Sequence, residues 1–298
     1  MRRMFEGFRI QQFAVNGTRL NGRVGGRGPA LLLLHGHPQS HVMWHRVAPR
    51  LAQRFTVVAL DLRGYGDSAR VPAGDDSSAY SKRAMAEDVL QVMSLLGHAR
   101  FAVCAHDRGA RVAHRLAADH ADAVTRMLLL DIAPTAAMYE RTSREFALAY
   151  WHWFFLVQPA PLPERLIEAD PVAYVRNVMG RRHAGLQAFA PEALAEYERC
   201  IAIPGTAGAI CADYRASIGI DLAHDHEDIA AGRRLAMPLR VLWGEHGAVG
   251  RCFDVLDLWR QRAESVSGQA LPCGHYIAEE LPDRLLAEAL VFLEGETP

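Results

Sequence analysis

Apolar and polar positions along this chain fall into runs that change character twice. Residues 5–24 alternate loosely and carry Asn16-Gly17, with Gly25-Gly26 just beyond. That pattern predicts antiparallel edge strands joined by tight turns. Ala30–Leu34 is a continuous apolar run, as expected of a strand buried on both faces of a parallel sheet, and residues 55–60 read as a second buried strand. Helices are expected over 41–53, with Val42, Val47, Leu51 and Ala52 facing the core, and over 80–97, with Met85, Val89, Val92 and Leu95-Leu96. A further apolar run, Phe101–His106, passes into helical spacing over 108–120, and Val124–Leu130 is another, ending at Asp131. The rhythm then stops. Residues 138–235 are mostly helical and aromatic, with Trp151-His152-Trp153-Phe154-Phe155 and no clear buried strand. Strand patterns return at 239–243 and Val266–Leu271, and an amphipathic helix over 283–293 closes the chain. The order predicts an α/β fold with a mostly parallel sheet flanked by helices, formed by 1–137 and 236–298. Residues 138–235 are expected as an inserted helical cap over the carboxyl ends of the strands.

Composition narrows the partners. With 298 residues, half of them hydrophobic, the chain suits one such domain with a cap. A formal net charge of −1 gives no reason to expect nucleic acid or an anionic membrane. Leu31–Leu34, between Pro29 and Gly36, is far too short to span a bilayer, and no apolar leader follows Met1-Arg2-Arg3. The five cysteines are scattered without a C-x-x-C pair, which suits buried free thiols in the cytoplasm. His224-Asp225-His226 lacks the i,i+4 spacing of a helical metal pair and is expected as a solvated connector, so neither metal nor cofactor is called for. Lys82 is the only lysine, so arginines carry weight here by placement rather than by presence.

One placement stands out. Ala105 and Gly109 flank Asp107 two positions away on each side, the small-x-nucleophile-x-small pattern of a strand–turn–helix elbow. An Asp that only caps a helix is the competing reading. Parallel strands would bring His35-Gly36-His37, Asp61, Asp107, Asp131 and Gly274-His275 to one rim, in the order nucleophile, acid, histidine. The acid is expected at Asp131, or at Glu245 beyond the cap, where Gly247 leaves a frequent acid position without one. An ionised Asp107 can displace a leaving group from a saturated carbon; His275, oriented by the acid, would then activate water against the ester. Arg108 and Arg111 stand three apart at a helix N-terminus, where cations are unfavourable. Such a violation suits a functional site, here a bidentate clamp for a substrate carboxylate.

The chain resembles the fluoroacetate/haloacetate dehalogenases of the α/β-hydrolase fold over nearly its whole length. The likeness is densest at His35-Gly36 with Pro38-Gln39, Lys82-Arg83-Ala84-Met85-Ala86, His106-Asp107-Arg108-Gly109-Ala110-Arg111, Trp153, Asp213-Tyr214-Arg215-Ala216 and Gly274-His275. The resemblance implies Asp107 as nucleophile, His275 as base, Asp131 as its partner, and Arg108 with Arg111 on the substrate carboxylate. It also implies His152, Trp153 and Tyr214 as donors to the departing halide, and a homodimer. The small-molecule substrate would be a 2-haloacid, hydrolysed to glycolate in the case of a haloacetate. His37 departs from the pattern, standing in the pocket wall where the family usually has Phe or Tyr. The stretch 179–190, with Arg181-Arg182, also matches poorly. Epoxide hydrolases and haloalkane dehalogenases share an elbow Asp but typically follow it with Trp, where this chain has Arg108. A non-catalytic ligand-binding protein on the same scaffold is the remaining alternative.

Overall fold

The computed structural model describes residues 4–295; the basic start Met1-Arg2-Arg3 lies outside the described residues. Its centre is a sheet of eight strands among the described residues: β1 Arg9–Val15, β2 Thr18–Gly26, β3 Ala30–Leu34, β4 Thr56–Leu60, β5 Phe101–His106, β6 Val124–Leu130, β7 Leu239–Gly244 and β8 Val266–Leu271. Their spatial order is β1-β2-β4-β3-β5-β6-β7-β8. The pairs β1–β2 and β2–β4 are antiparallel and the rest parallel. Asn16 and Gly17 both take positive φ, 43° and 69°, as a two-residue hairpin requires. The central strands β3 and β5 are buried at every position, which is why they read as unbroken apolar runs. Edge strand β8 is mostly half-buried, and its sequence is correspondingly polar.

Helices Lys82–Leu95, Asp107–Asp119 and Pro282–Leu293 flank the sheet with buried apolar stripes. Between β6 and β7 the chain is helical, from Thr135–Glu140 to Ile220–Ala230. Two expectations require correction. Residues 41–53 form a 3₁₀ turn, His41–Trp44, and a short helix, Ala48–Leu51. Pro49 has no N–H to donate back to the preceding turn and its ring crowds the carbonyl four residues earlier, so it is accommodated in the first turn of a new helix and one continuous helix is blocked. His224-Asp225-His226 lies within helix Ile220–Ala230 rather than in a solvated connector, with Asp225 buried. It builds no metal site: no group of potential ligands converges among the described residues. Short helices Ala248–Cys252 and Val255–Arg260, unforeseen in the sequence, fill the β7–β8 crossover. No described helix is long and apolar enough to cross a membrane. The cysteines are free; four are buried, and Cys252 is half-buried.

Candidate active site

Strand β5 ends at His106, and Asp107 opens the next helix with φ +47°. Left-handed backbone costs an L-residue roughly 1–2 kcal/mol, and Asp tolerates it better than most. The neighbours must be small. A Cβ on Gly36 would stand 2.4 Å from the Asp107 Cβ, and one on Gly109 2.4 Å from the His35 carbonyl oxygen. Asp107 is 3% exposed, and its Oδ1 accepts a hydrogen bond from the His37 backbone N–H at 3.0 Å. Burial pushes the Asp107 carboxyl up, but His275, His106, Arg111 and Arg108 outweigh it and hold the group well below the usual carboxylate range. His106 is itself neutral, pushed down to about 3 chiefly by burial, so the guanidiniums are the permanent part of that field.

Asp131 ends β6, also with positive φ, 49°. Its Oδ2 lies 2.6 Å from His275 Nδ1, and its Oδ1 accepts from the Gly244 N–H at 2.9 Å. This fixes the His275 tautomer with the proton on Nδ1 and leaves Nε2 as the basic nitrogen. The alternative acid, Glu245, is exposed. At Gly247 a Cβ would stand 3.3 Å from Asp131 Oδ1, so the two acid positions serve the same spot from different strands. His106 Nε2 donates to the His275 carbonyl at 2.9 Å and secures the loop that carries it. Asp61, at the end of β4, is spent on structure: it accepts from Asn21 Nδ2, from the His41 backbone and ring, and from the Asp67 N–H.

The two arginines differ. Arg108 is fully buried and grips Asp213 of helix Thr206–Ile218 through Nε at 2.9 Å and Nη2 at 2.7 Å, with Ser217 Oγ also on Nη2. Only its Nη1 lacks a partner. Arg111 donates through Nη1 to Thr135 Oγ1 at 2.6 Å and keeps Nε unpaired. The sequence suggests a bidentate clamp made by both side chains; in the fold Asp213 and Ser217 occupy Nε and Nη2 of Arg108 and leave it Nη1. Asp213 also holds Lys82 and the Tyr65 hydroxyl, the latter at 2.7 Å, and Lys82 reaches Asp221 at 3.3 Å. This buried network was missed, although a lone lysine in an arginine-rich chain was its visible signal.

Above the elbow, helix Trp151–Leu156 presents His152 and Trp153, and Thr206–Ile218 presents Tyr214. The Arg108 guanidinium lies 4.0 Å from the Tyr214 ring centre, and that of Arg111 4.7 Å from Trp153; those two rings are 6.4 Å apart. Trp153 Nε1 and the Tyr214 hydroxyl are buried without partners. His37 stacks on His152 at 5.8 Å, and its Nε2 lies 3.0 Å from the Tyr174 hydroxyl. Burial pushes His37 down to about 3 and His152 well below its usual range, so both are neutral. Tyr150, also not foreseen, places its hydroxyl 3.5 Å from His275 Nδ1. A cleft of about 290 Å³ opens over His152 and His275.

An alpha/beta hydrolase fold model matches residues 29–280. Fluoroacetate dehalogenase from Burkholderia sp is 44% identical over 291 residues, 96% of this chain and 95% of that protein. Soluble epoxide hydrolase from Corynebacterium sp. (strain C12) is 35% identical over 286 residues, 94% of this chain and 96% of that protein. The crystal structure of an alpha/beta hydrolase from Nostoc sp PCC 7120 superposes with a TM-score of 0.94 at 51% identity, covering 98% of this chain and 100% of that one.

Proposed function

The chain belongs to the α/β-hydrolase fold family and, within it, to the family of the haloacetate dehalogenases; on that premise we propose that it is a hydrolase of carbon–halide bonds that converts a short 2-haloacid into the 2-hydroxy acid and halide. The observation that carries this reading is the group of buried, unpartnered donors beside Asp107: Arg108 Nη1, Arg111 Nε, Trp153 Nε1 and the Tyr214 hydroxyl. Buried donors left without acceptors each cost roughly 1–3 kcal/mol, and a substrate with one carboxylate and one departing halide would satisfy them. In this reading, residues 138–235 act as the cap that closes over the substrate.

An ionised Asp107 oxygen attacks C2 along the line opposite the halogen. The C–O bond forms as the halide leaves with the bonding pair. His152, neutral and so able to donate, joins Trp153 and Tyr214 around the departing anion. Arg111 and the free edge of Arg108 hold the substrate carboxylate, offsetting its repulsion from Asp107 in a dry site. His275 Nε2 then removes a proton from water, which attacks the ester carbonyl, while Asp131 stabilises the imidazolium. The products are glycolate, halide and a proton when the substrate is a haloacetate. A cytoplasmic homodimer is part of the same proposal, and light scattering at twice the chain mass tests the dimer.

Epoxide opening is the competing reaction, and the 35% identity to an epoxide hydrolase favours weighing it. A neutral epoxide gives Arg111 no carboxylate to hold, which is why the haloacid reading is preferred. Halide release from fluoroacetate and chloroacetate, set against styrene oxide turnover, separates the two. Release from at least one acid is expected; epoxide opening with no halide release would overturn the proposal. Single turnover in ¹⁸O-water is expected to leave the label in the Asp107 carboxylate, because water attacks the ester carbonyl rather than C2.

A further inference from the structure

Arg181 and Arg182 follow helix Pro171–Gly180 in the cap and have no part in the chemistry above. They line the cleft that opens over His152 and His275, with His183 and Arg251. The Arg182 guanidinium lies 4.4 Å from the ring centre of buried Tyr150, whose hydroxyl is 3.5 Å from His275 Nδ1. Arg182 is therefore one aromatic ring away from the general base.

The other cap arginines are either paired with a carboxylate or exposed, whereas Arg182 is half-buried without one. Arg176 pairs with Glu198, Arg199 with Glu196 and Arg215 with Glu164, each at 2.6 Å, and at the cleft rim Arg251 pairs with Glu145 at 3.0 Å. No such pair involves Arg182 among the described residues, although it is half-buried. Tyr276 and the more distant Asp131 and Asp107 favour its charge, but no carboxylate touches it, and a partly desolvated guanidinium with no contacting anion is the kind of local violation that a ligand completes. Its planar fork suits a carboxylate.

We infer that Arg182 forms a second carboxylate subsite at the mouth, and that the enzyme accepts four-carbon 2-halo dicarboxylic acids of the halosuccinate type. The inference rests on the proposed haloacid reading and extends it. The proximal carboxylate occupies Arg111 and Arg108, C2 faces Asp107, and the distal carboxylate points out of the cleft onto Arg182. Asp107 forms a C–O bond to C2 as the carbon–halogen bond breaks, and the halide takes the electron pair. Water then cleaves the ester at its carbonyl carbon, giving 2-hydroxysuccinate, free Asp107 and one proton. A monoacid leaves Arg182 unused.

The test is halide release from chloroacetate and from 2-chlorosuccinate by the wild type, Arg182→Gln and Arg182→Lys, with melting temperatures as folding controls. The wild type is expected to turn over both acids. In Arg182→Gln, kcat/KM for chlorosuccinate relative to chloroacetate is expected to fall about 10- to 100-fold, as for loss of a charged hydrogen bond, mainly through KM. Arg182→Lys is expected to restore part of that ratio. Chloroacetate turnover without chlorosuccinate turnover, or an unchanged ratio in Arg182→Gln, overturns the subsite and leaves the haloacid reading standing. Failure of the wild type on both acids overturns the haloacid reading and the subsite with it.

Discussion

Asp107 has to be strained, buried and ionised at once, and separate residues meet each demand. Gly36 and Gly109 leave room for its left-handed backbone, with any Cβ there 2.4 Å from another atom. The guanidiniums of Arg108 and Arg111 help keep the carboxylate charged despite burial. In the proposed mechanism that charge needs no base, so the first step would be independent of His275. His275→Asn is expected to release about one equivalent of halide per site in a burst and then stop, with the substrate left as an ester on Asp107. Rapid-quench halide analysis and intact mass measurement check this; steady turnover at the wild-type rate would show that another group activates water. Arg111→Gln is expected to raise KM for haloacetate by about 10-fold or more, since a charged hydrogen bond contributes roughly 1.5–3 kcal/mol. Steady-state kinetics measure it.

Between elements, the site is held by contacts that join the helices inserted between β6 and β7 to the rest of the fold. Lys82, at the start of helix Lys82–Leu95, bridges Asp213 and Asp221 on the successive helices Thr206–Ile218 and Ile220–Ala230, and Asp213 in turn orients Arg108. Lys82→Met leaves Asp221 buried without its ammonium. Removing one partner from such a network costs about 3–5 kcal/mol. A clear fall in melting temperature is expected, with a larger rise in KM than loss of kcat, because Arg108 loses its alignment. A second tie runs from Tyr197, on helix Pro191–Ile201, to Glu279 Oε1 at 2.6 Å, just after the His275 loop. Burial pushes Glu279 up to about 7 from an ordinary 4.5, against the opposing Tyr197 hydrogen bond and Arg46. The folded state thus holds this proton more tightly than the unfolded chain. Stability is lost as pH rises from about 4.5 through about 7, and the loss levels off above that. Gln stays neutral throughout. The melting temperature of Glu279→Gln relative to wild type is therefore expected to climb between pH 5 and pH 8; a difference that does not vary with pH would reject the linkage.

For the molecule as a whole, a net charge of −1 coexists with Arg181 and Arg182 at the mouth of the cleft, which on the proposed reading would draw in an anionic substrate over short range. kcat/KM for chloroacetate is expected to fall several-fold as the Debye length shrinks from about 10 Å at 0.1 M salt to about 3 Å at 1 M, with kcat little changed. A salt-insensitive kcat/KM would remove steering from the account. Much of the fold was legible because period and burial are local properties. The unbroken runs of β3, β4 and β5, the hairpin at Asn16-Gly17 and the small residues around Asp107 each report a constraint imposed within a few positions. The broken helix at Pro49 was legible in principle, since the proline's missing N–H is also local. What no window of residues contains is which distant groups meet. Asp213 stands 105 positions from Arg108 and takes most of its fork, a pairing that decides which edge remains for substrate. Likewise Asp131, rather than the exposed Glu245, holds His275 across 144 positions, because β6 and β7 lie side by side and bring either acid position to the same point. The sequence by itself determined the layered sheet, the elbow and the stock of reactive groups, because these follow from short-range sterics and hydrophobic period. Tertiary structure alone decided which charges are paired and which remain open, because that depends on burial and on partners brought together only by the packing of the inserted helices against the sheet and its flanking helices.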